Sequence, residues 1–478
     1  MRTFDRHYID GQWQASTAAA SAVAVINPAT EQPIASVHMG GAADLERAID
    51  AAYRAFPAYA ATPLSERLAL LQRIAAVYER RVEEMALAIT TEMGAPYEQL
   101  SRTLQAPIGL WHFQIAAALA EHFEWERTQG STVLLREPVG VCSLITPWNW
   151  PMNQIACKLA PALLAGCTVV LKPSDLAPLS AHLLAEILDE AGAPAGVFNL
   201  VWGMGPEIGP SMATHPKVDM VSLTGSTAAG AAVARNGADS IKRVSLELGG
   251  KSANIILEDA PLKQAVTQGV LQMMINSGQS CNAPSRMLVP AAMLAEVEQI
   301  AAEAVQQLVV GDPLDARTTT GPIANARQFQ RVQALIAAGI DEGATLVAGG
   351  LGRPDGLTQG YYARPTVFVA ADNQARIARE EIFGPVLTII PYRSEDEAVA
   401  MANDSEYGLS GYVWGGSIER ASAVARRLRT GMVHLNGAGL DLHAPFGGYK
   451  RSGLGREWGA AGIEEFTQLK AVMGAVSL

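Results

Sequence analysis

The stretch TVVLKPSDLAPLSAHLLAEILDEAGAPAGVFNLV, residues 168–201, predicts one strand–helix–strand unit. Thr168–Leu171 and Val197–Val201 are short runs rich in apolar and β-branched residues, as buried strands are. Residues 180–191 begin with a serine, carry apolar residues at helical spacing and end before Gly192, which favours a helix. Such a unit indicates a right-handed crossover within a parallel sheet.

The same alternation extends in both directions along the chain. Val139–Thr146, Val218–Thr224 and Ile241–Leu248 are further predicted strands. A second alternation runs from Ala253–Leu257 to Met432–Leu435. The predicted fold class is therefore α/β, with two doubly wound domains joined near the glycine pair 249–250.

Helical patterns dominate the first hundred residues. The longest of them predicts one helix that is capped by Ser65 and stops at Gly94.

Composition excludes several classes of protein. Of 478 residues, 49% are hydrophobic and 17% charged, which excludes a disordered chain. The net charge, 36 − 47 = −11, disfavours binding to nucleic acid or to an anionic membrane. The longest apolar stretch, residues 155–171, contains Lys158 and is too short to span a membrane, and residues 1–10 lack the core of a signal peptide. Four cysteines without ligand spacing predict neither a metal site nor a disulfide framework, and we expect a soluble cytoplasmic protein.

Four glycine-, proline- or polar-rich turns follow predicted strands, at residues 147–151, 172–175, 203–206 and 225–227. Ligands of open α/β sheets bind outside the carboxyl ends of the strands, so we expect one nucleotide crevice here. The turn after Gly225 could hold a pyrophosphate at a helix N-terminus, and Lys172 and Asp175 could bind ribose hydroxyls. Taken singly, such turns often bind nothing, and Lys172 and Asp175 could equally form a surface ion pair.

Three residues differ from their sequence neighbours in a way that indicates a catalytic role. Cys281 follows the polar segment 276–280, a setting suited to a reactive thiol, although an inert thiol is the commoner case. Glu247 interrupts an apolar strand, where burial would raise the pKa of its carboxyl toward that of a general base; a salt bridge to Lys251 is the alternative. Asn149 lies between tryptophans and prolines, so its amide could stabilise an oxyanion or serve only the turn. The other cysteines, Cys142, Cys157 and Cys167, lie among apolar residues and are interpreted as core residues.

Seven segments in order resemble motifs of the aldehyde dehydrogenase superfamily, and the resemblance covers nearly the whole chain. They are TPWNWP (146–151), KPSD (172–175), LTGST (223–227), LELGGK (246–251), GQSC (278–281), EEIFGPV (380–386) and PFGGYKRSG (445–453).

The resemblance implies an NAD(P)-dependent oxidation of an aldehyde. Cys281 would attack the aldehyde, Asn149 and the Cys281 backbone N–H would hold the oxyanion, and Glu247 would activate the water that hydrolyses the thioester. The residues implied to bind the cofactor are Ile145, Pro147, Trp148, Lys172, Ser174, Asp175, Gly205, Gly209, Gly225, Ser226, Leu248, Glu381 and Phe383. NAD is the preferred cofactor, and NADP stays possible because Asp175 is shorter than the glutamate of many relatives and Ser174 could accept a 2′-phosphate.

The resemblance also implies a substrate tunnel, a domain plan and an assembly. The tunnel residues are Trp150, Gln154, Cys157, Leu440 and Phe446, whose mostly apolar character favours a hydrophobic aliphatic or aromatic aldehyde. The predicted domains are 1–127 with 137–248 for NAD(P), 249–450 for catalysis, and 128–136 with 451–478 as a β oligomerisation arm and tail. Such an arm and tail imply a homodimer or a homotetramer.

Three other functions stay open at this point. A CoA-acylating relative would use Cys281 and release an acyl-CoA, although such enzymes generally lack the glutamate that stands here at 247. A redox-free cysteine esterase would need Cys281 and Glu247 but no nucleotide. A non-catalytic structural protein would not need Cys281, Glu247 and Asn149 together.

Overall fold

The computed structural model describes residues 2–17, 21–370 and 372–476. The strands are β1 Arg2–Phe4, β2 Arg6–Ile9, β3 Gln12–Ala15, β4 Ser21–Asn27, β5 Gln32–Met39, β6 Glu126–Gln129, β7 Thr132–Pro138, β8 Val141–Ile145, β9 Thr168–Lys172, β10 Phe198–Leu200, β11 Met220–Thr224, β12 Arg243–Glu247, β13 Ala253–Ile256, β14 Arg286–Pro290, β15 Thr345–Ala348, β16 Thr366–Val369, β17 Val386–Tyr392, β18 Ser410–Trp414, β19 Met432–Leu435, β20 Gly453–Leu454 and β21 Thr467–Val472.

The α-helices are α1 Ala42–Ala60, α2 Leu64–Arg80, α3 Val82–Met93, α4 Ala106–Leu119, α5 Pro151–Ala165, α6 Pro178–Glu190, α7 Gly205–Thr214, α8 Thr227–Ala238, α9 Leu262–Met274, α10 Leu294–Val305, α11 Ala326–Asp341, α12 Arg376–Arg379, α13 Glu395–Asn403, α14 Ile418–Ala425 and α15 Gly459–Glu465. A π-helix, Tyr97–Gln105, leads into α4.

The first large sheet has eight strands in the order β20-β12-β11-β8-β9-β10-β2-β3. The five central strands are parallel, which confirms the predicted doubly wound sheet. Their carboxyl ends share one edge, so the four polar turns that follow them open on the same side. Strands β2 and β3 add to this sheet antiparallel to their neighbours, in a region where helices had been expected to dominate.

The second large sheet has seven strands in the order β15-β16-β17-β14-β13-β18-β19. All its pairs are parallel except β15 with β16. Helices α9 and α10 cover one face of this sheet, and their apolar side chains pack against those of β13, β14 and β17. This confirms the second α/β unit and places its β13 directly after the glycine pair 249–250.

A third, antiparallel sheet has the order β21-β7-β6. Here the hairpin of β6 and β7 extends slightly beyond the expected arm 128–136 on both sides. Strand β21 pairs with β7 over its whole length. The predicted tail 451–478 belongs to two sheets. Its strand β20 pairs with β12 in the first sheet, and its strand β21 pairs with the hairpin of β6 and β7.

Two helix boundaries differ from the prediction. The helix expected from Ser65 begins at Leu64 without a side-chain cap and breaks at Arg81, so α2 and α3 are separate helices. The stop at Gly94 is confirmed, with a left-handed backbone (φ +79°) that favours glycine. Ser180 lies inside the first turn of α6 and is not its N-cap.

Within residues 2–17, 21–370 and 372–476, no helix combines the length and apolar character that crossing a bilayer requires.

Candidate active site between the two sheets

The loop that carries Cys281 has an unusual backbone. It follows α9, and Asn276 and Ser277 both have left-handed φ angles, +54° and +55°. Gly278 has φ +71°, and a Cβ at this position would overlap the backbone of Gly384. The loop is therefore held tightly against the segment that precedes β17.

The surroundings of Cys281 are less polar than the sequence predicted. The residue is half-buried, whereas Cys142, Cys157 and Cys167 are fully buried, as expected of core cysteines. On one side Cys281 packs against an apolar cluster of Cys157, Leu409, Phe446 and Trp458. Burial raises the pKa of the Cys281 thiol, and the charges of Glu247 and Glu381 act in the same direction. Burial thus favours the protonated thiol over the thiolate.

Asn149 is fixed by hydrogen bonds to the Cys281 loop. Its side chain is buried, and its Nδ2 donates to the Gln279 carbonyl at 3.0 Å. Its own carbonyl accepts from Asn276 Nδ2 at 2.9 Å. Next to it, Trp150 Nε1 donates to Ser280 Oγ at 2.8 Å. An amide nitrogen carries two hydrogens, so one N–H of Asn149 remains for a ligand beside Cys281.

Glu247 ends β12 and is 1% exposed. Neither of its carboxyl oxygens has a hydrogen-bond partner among the described residues. Burial raises the pKa of Glu247 well above its usual value, and the charge of Glu457 adds to this effect. The alternative of a salt bridge to Lys251 is wrong, because the Lys251 ammonium is equally without a partner in the part of the chain described.

A buried ion pair behind Cys281 was not predicted. Lys158 on α5 pairs with Glu457, and both side chains are nearly inaccessible. The other oxygen of Glu457 accepts from Cys157 Sγ at 3.1 Å. In the sequence, Lys158 could have indicated this ion pair, because it is the single charged residue in the apolar stretch 155–171. Glu457 gave no such signal, since its sequence neighbours are polar and glycine-rich.

The nucleotide crevice lies along the carboxyl edge of the first sheet. Lys172 is buried and donates from Nζ to the Pro173 carbonyl at 2.9 Å, so the alternative of a surface ion pair with Asp175 is wrong. Gly205 and Gly209 on α7 have open space where a Cβ would lie. Ser226 caps α8 by accepting from Ala229 N–H at 3.2 Å.

Glu381 and Phe383 lie where the crevice meets the Cys281 loop. Glu381 Oε1 accepts from Gly250 N–H at 2.9 Å. The Phe383 backbone is left-handed (φ +57°), and its ring meets the Trp148 ring edge-to-face at 5.6 Å. Gly250, Ser280, Glu381 and Phe383 line one small cavity. Residues from both sheets thus meet at a single point next to Cys281.

The other sequence-predicted residues have varied positions. Ile145, Pro147 and Asp175 are half-buried at strand ends, Ser174 is buried, and Gly225 directly follows β11, while Leu248 packs against Gly230. Gln154 and Cys157 are buried on α5. Phe446 packs against the Trp458 ring at 4.4 Å. Leu440 is exposed, and Leu442 rather than Leu440 packs against the Cys281 cluster.

A doubly wound sheet whose strands end in glycine-rich turns, next to a cysteine loop on a second α/β sheet, is an arrangement suited to a nucleotide-dependent dehydrogenase. The model of the aldehyde dehydrogenase family matches residues 13–472, and the chain belongs to this family.

Solved and curated relatives agree with this assignment. The chain is 57% identical, over 99% of both chains, to a 3-succinoylsemialdehyde-pyridine dehydrogenase of a Pseudomonas species. It is 52% identical to a variant of aldehyde dehydrogenase C from Pseudomonas syringae, solved with NAD+ and octanal, with TM-score 0.98 over 99% of this chain and 97% of that one. An aldehyde dehydrogenase of Mycobacterium tuberculosis, solved with NAD+, is 40% identical, with TM-score 0.95 over 99% and 98% of the two chains.

Proposed function

We propose that this protein oxidises a hydrophobic aldehyde to its carboxylic acid, with NAD as the hydride acceptor and Cys281 as the nucleophile. One observation carries the proposal: the Asn149 amide is hydrogen-bonded to the loop that carries Cys281, and the charge of the buried Glu247 carboxyl acts on the Cys281 thiol.

The Cys281 sulfur, as thiolate, forms a bond to the aldehyde carbon and gives a hemithioacetal. The carbonyl oxygen becomes an oxyanion, which the free N–H of Asn149 and the Cys281 backbone N–H stabilise. A bound nicotinamide would supply the hydride acceptor for this carbon, and Glu381 and Phe383 would hold its riboside. The product on the enzyme is a thioester of Cys281.

Glu247 then acts as the base for hydrolysis. Its carboxylate takes a proton from water, the resulting hydroxide attacks the thioester carbon, and the C–S bond breaks to release the acid and the Cys281 thiolate. Because both Glu247 oxygens lack hydrogen-bond partners among the described residues, the carboxylate is free to bind this water. Before attack, the Cys281 thiol loses its proton to water, because the thiolate is the nucleophile. Burial raises the pKa of the thiol and makes this step less favourable.

The residues at the crevice fit NAD. Open space beside Gly205 and Gly209 and the N-terminus of α8 at Ser226 suit a pyrophosphate. Lys172 and Asp175 would bind the adenosine ribose, and Glu381 with Phe383 would position the nicotinamide riboside. The acidic Asp175 disfavours a 2′-phosphate, so we propose NAD as the better cofactor and NADP as the poorer one.

The proposed substrate class follows from the residues around Cys281. Cys157, Leu409, Phe446 and Trp458 form an aromatic and apolar wall beside Cys281, with no arginine among them to bind a terminal carboxylate. Octanal is present in the solved Pseudomonas syringae relative, and the curated Pseudomonas relative is named for an aldehyde with a pyridine ring. Both aldehydes carry a large tail that such a wall can bury.

The test is formation of NADH or NADPH by the purified protein with octanal, benzaldehyde and succinate semialdehyde, each with NAD and with NADP. We expect the best turnover with NAD and one of the first two aldehydes. Cys281→Ser should remove oxidation by about 10³-fold or more while NAD binding, measured by titration, persists. Cys142→Ala, which removes a core thiol, should keep turnover near the wild-type value.

The competing functions give different outcomes. Acyl-CoA as the main product when CoA is supplied would identify an acylating enzyme. Ester cleavage without any binding of NAD or NADP would identify an esterase. Best turnover on succinate semialdehyde would contradict the apolar wall as the basis of specificity.

A further inference from the structure

Gln105 is a buried polar residue that no step of the proposed mechanism uses. It is 1% exposed and ends the π-helix that leads into α4. Such helices are rare and often mark functional sites. The Gln105 Nε2 faces three acceptors, which are Asn276 Oδ1 at 3.1 Å, the Asn149 carbonyl at 3.4 Å and Met93 Sδ at 3.4 Å. Its Oε1 has no partner among the described residues, so this side chain is placed for its donors.

Asn276 lies between Gln105 and Asn149. Its backbone is left-handed (φ +54°), and the residue is 2% exposed. Its Nδ2 donates to the Asn149 carbonyl at 2.9 Å and, over a longer distance, to the Gln279 carbonyl at 3.3 Å. The Gln279 carbonyl also accepts from the Asn149 side chain at 3.0 Å. Asn276 therefore contacts both the backbone of Asn149 and the group to which the Asn149 amide is bonded.

The hydrogen bond from Gln105 determines which way the Asn276 amide points. A half rotation of an asparagine amide exchanges its oxygen and its nitrogen with little change of shape. Because Gln105 donates, the oxygen of Asn276 must face Gln105 and its nitrogen must face Asn149. The reversed amide would place two donors together on one side and two oxygens together on the other, which is unfavourable in a buried place.

The position of the Asn149 amide matters for the chemistry. One of its two N–H groups is taken by the Gln279 carbonyl, so the direction of the other follows from where that carbonyl lies. A donor to an oxyanion is effective only when it is fixed beforehand at hydrogen-bond distance from the developing charge. A displacement of about 1 Å can slow a reaction by about 10²-fold.

We propose that Gln105 is a positioning residue for aldehyde oxidation and acts through Asn276 on the Asn149 amide. This role rests on the proposed function, in which that amide stabilises the oxyanion of the hemithioacetal. Gln105 should therefore affect the reactions of Cys281 that form an oxyanion. It should not affect NAD binding or a displacement by the Cys281 sulfur at an alkyl halide, which forms no oxyanion.

Gln105→Met tests this difference, because it removes the donor at similar volume. Single-turnover formation of NADH from octanal should slow by about 10- to 100-fold. Alkylation of Cys281 by iodoacetamide, followed by mass spectrometry of its peptide, and titration with NAD should each stay within about twofold of the wild type. Gln99→Met makes the same change at an exposed glutamine of the same π-helix and should leave all three values unchanged. Slowing of the alkylation as large as that of NADH formation would overturn the proposal, because Gln105 would then only support the loop.

A double-mutant cycle tests whether the effect passes through Asn149. Asn149→Ala should slow the single turnover by about 10²- to 10³-fold, and Gln105→Met added to it should cause less than about a twofold further loss. Additive losses would contradict the proposal. A wild type that forms no NADH from any aldehyde would refute the proposed function itself, whereas normal oxidation by Gln105→Met would refute only the role of Gln105.

Gln105→Glu adds a rescue test and serves where Gln105→Met does not fold. Burial keeps the introduced carboxyl protonated at pH 6, so its O–H can donate to Asn276 Oδ1. The single-turnover rate at pH 6 should then lie within about threefold of the wild type. A loss of about 10-fold or more at this pH would contradict the donor role.

Discussion

The Glu247 carboxyl is the group on which the pH dependence of this protein should depend. It is buried, it lacks a hydrogen-bond partner among the residues described, and burial raises its pKa well above the usual value. A carboxyl with a raised pKa is protonated below that pKa and cannot take a proton from water. Thioester hydrolysis should therefore be slow at low pH and rise as the pH increases through the pKa of Glu247.

Glu247→Gln should remove this rising limb. The amide cannot accept a proton, so we expect a rapid first turnover of NADH followed by steady-state turnover slower by about 10²- to 10⁴-fold, with little change between pH 6 and 9. Stopped-flow measurement of NADH with octanal resolves the two phases.

Glu303→Gln is the matched control for this experiment. It removes the same charge at an exposed glutamate of α10, whose charge is not among those that raise the pKa of Glu247. This variant should keep wild-type kinetics and pH dependence. A Glu247→Gln variant without a burst, or with an unchanged pH profile, would remove Glu247 from the hydrolytic step.

Single residues were predictable where a polar side chain interrupts an apolar pattern. Glu247 in a strand and Asn149 between tryptophans were found in this way. Glu457 was not, because its partners Cys157 and Lys158 lie on α5, about 300 residues away in sequence. The polarity around Cys281 was misjudged for the same reason, since the apolar side chains that pack against it come from distant segments.

At the scale of elements, the start of α6 depends on a residue from another helix. No side chain of its own caps α6, and instead Glu92 at the end of α3 accepts from Leu179 N–H at 2.6 Å and Ser180 N–H at 3.2 Å. Glu92 is 1% exposed, and burial raises its pKa to about 8. Its oxygens satisfy N–H groups that would otherwise be buried without partners.

Glu92→Ala should lower the free energy of unfolding by about 2–3 kcal/mol, because two backbone donors of α6 lose their acceptor in a buried place. Glu190→Ala is the control at the other end of α6, where the glutamate forms an exposed ion pair with Arg80. That variant should change the free energy by about 0.5 kcal/mol or less. Urea unfolding of both variants measures the two values, and equal effects would contradict the capping role of Glu92.

Elements were predictable where the local pattern decides them. The central parallel strands of both sheets have strong apolar runs, and Gly94 ends α3 through its left-handed backbone. The predicted N-caps were wrong. Ser65 and Ser180 have hydroxyls that can cap a helix, but neither does so here. Helix α6 takes its acceptor from Glu92 in the folded chain. The strands of residues 2–39 are three to eight residues long and pair with distant partners such as β10, so their own sequence gives little signal.

At the scale of the whole molecule, the C-terminal part of the chain connects the first large sheet to the arm sheet of β6, β7 and β21. Strand β20 returns from the C-terminal part of the chain to pair with β12, next to Glu247. Strand β21 continues directly to the arm hairpin. Residues 455–466 therefore link β20, which lies next to Glu247, to the arm sheet.

The arm sheet exposes apolar side chains that favour self-association. Leu469 on β21 is 61% exposed and Met473, just beyond it, is 81% exposed. Strand β21 also has one edge without a partner strand in the described chain, since its other edge pairs with β7. An apolar face next to an open strand edge is the kind of surface that symmetric oligomers bury.

Leu469→Asp should therefore convert a homodimer or homotetramer into a smaller species. A buried, unpaired carboxylate at an interface costs several kcal/mol, about 3–5, which is sufficient to dissociate the assembly at micromolar concentration. Size-exclusion chromatography with light scattering measures the mass of each variant. Leu346→Asp, which adds the same charge at an exposed leucine of β15 far from the arm, should leave the mass unchanged. Because the arm follows β20, dissociation should also slow the step that needs Glu247 while NAD binding persists, and a wild type that is itself monomeric would refute this role of the arm.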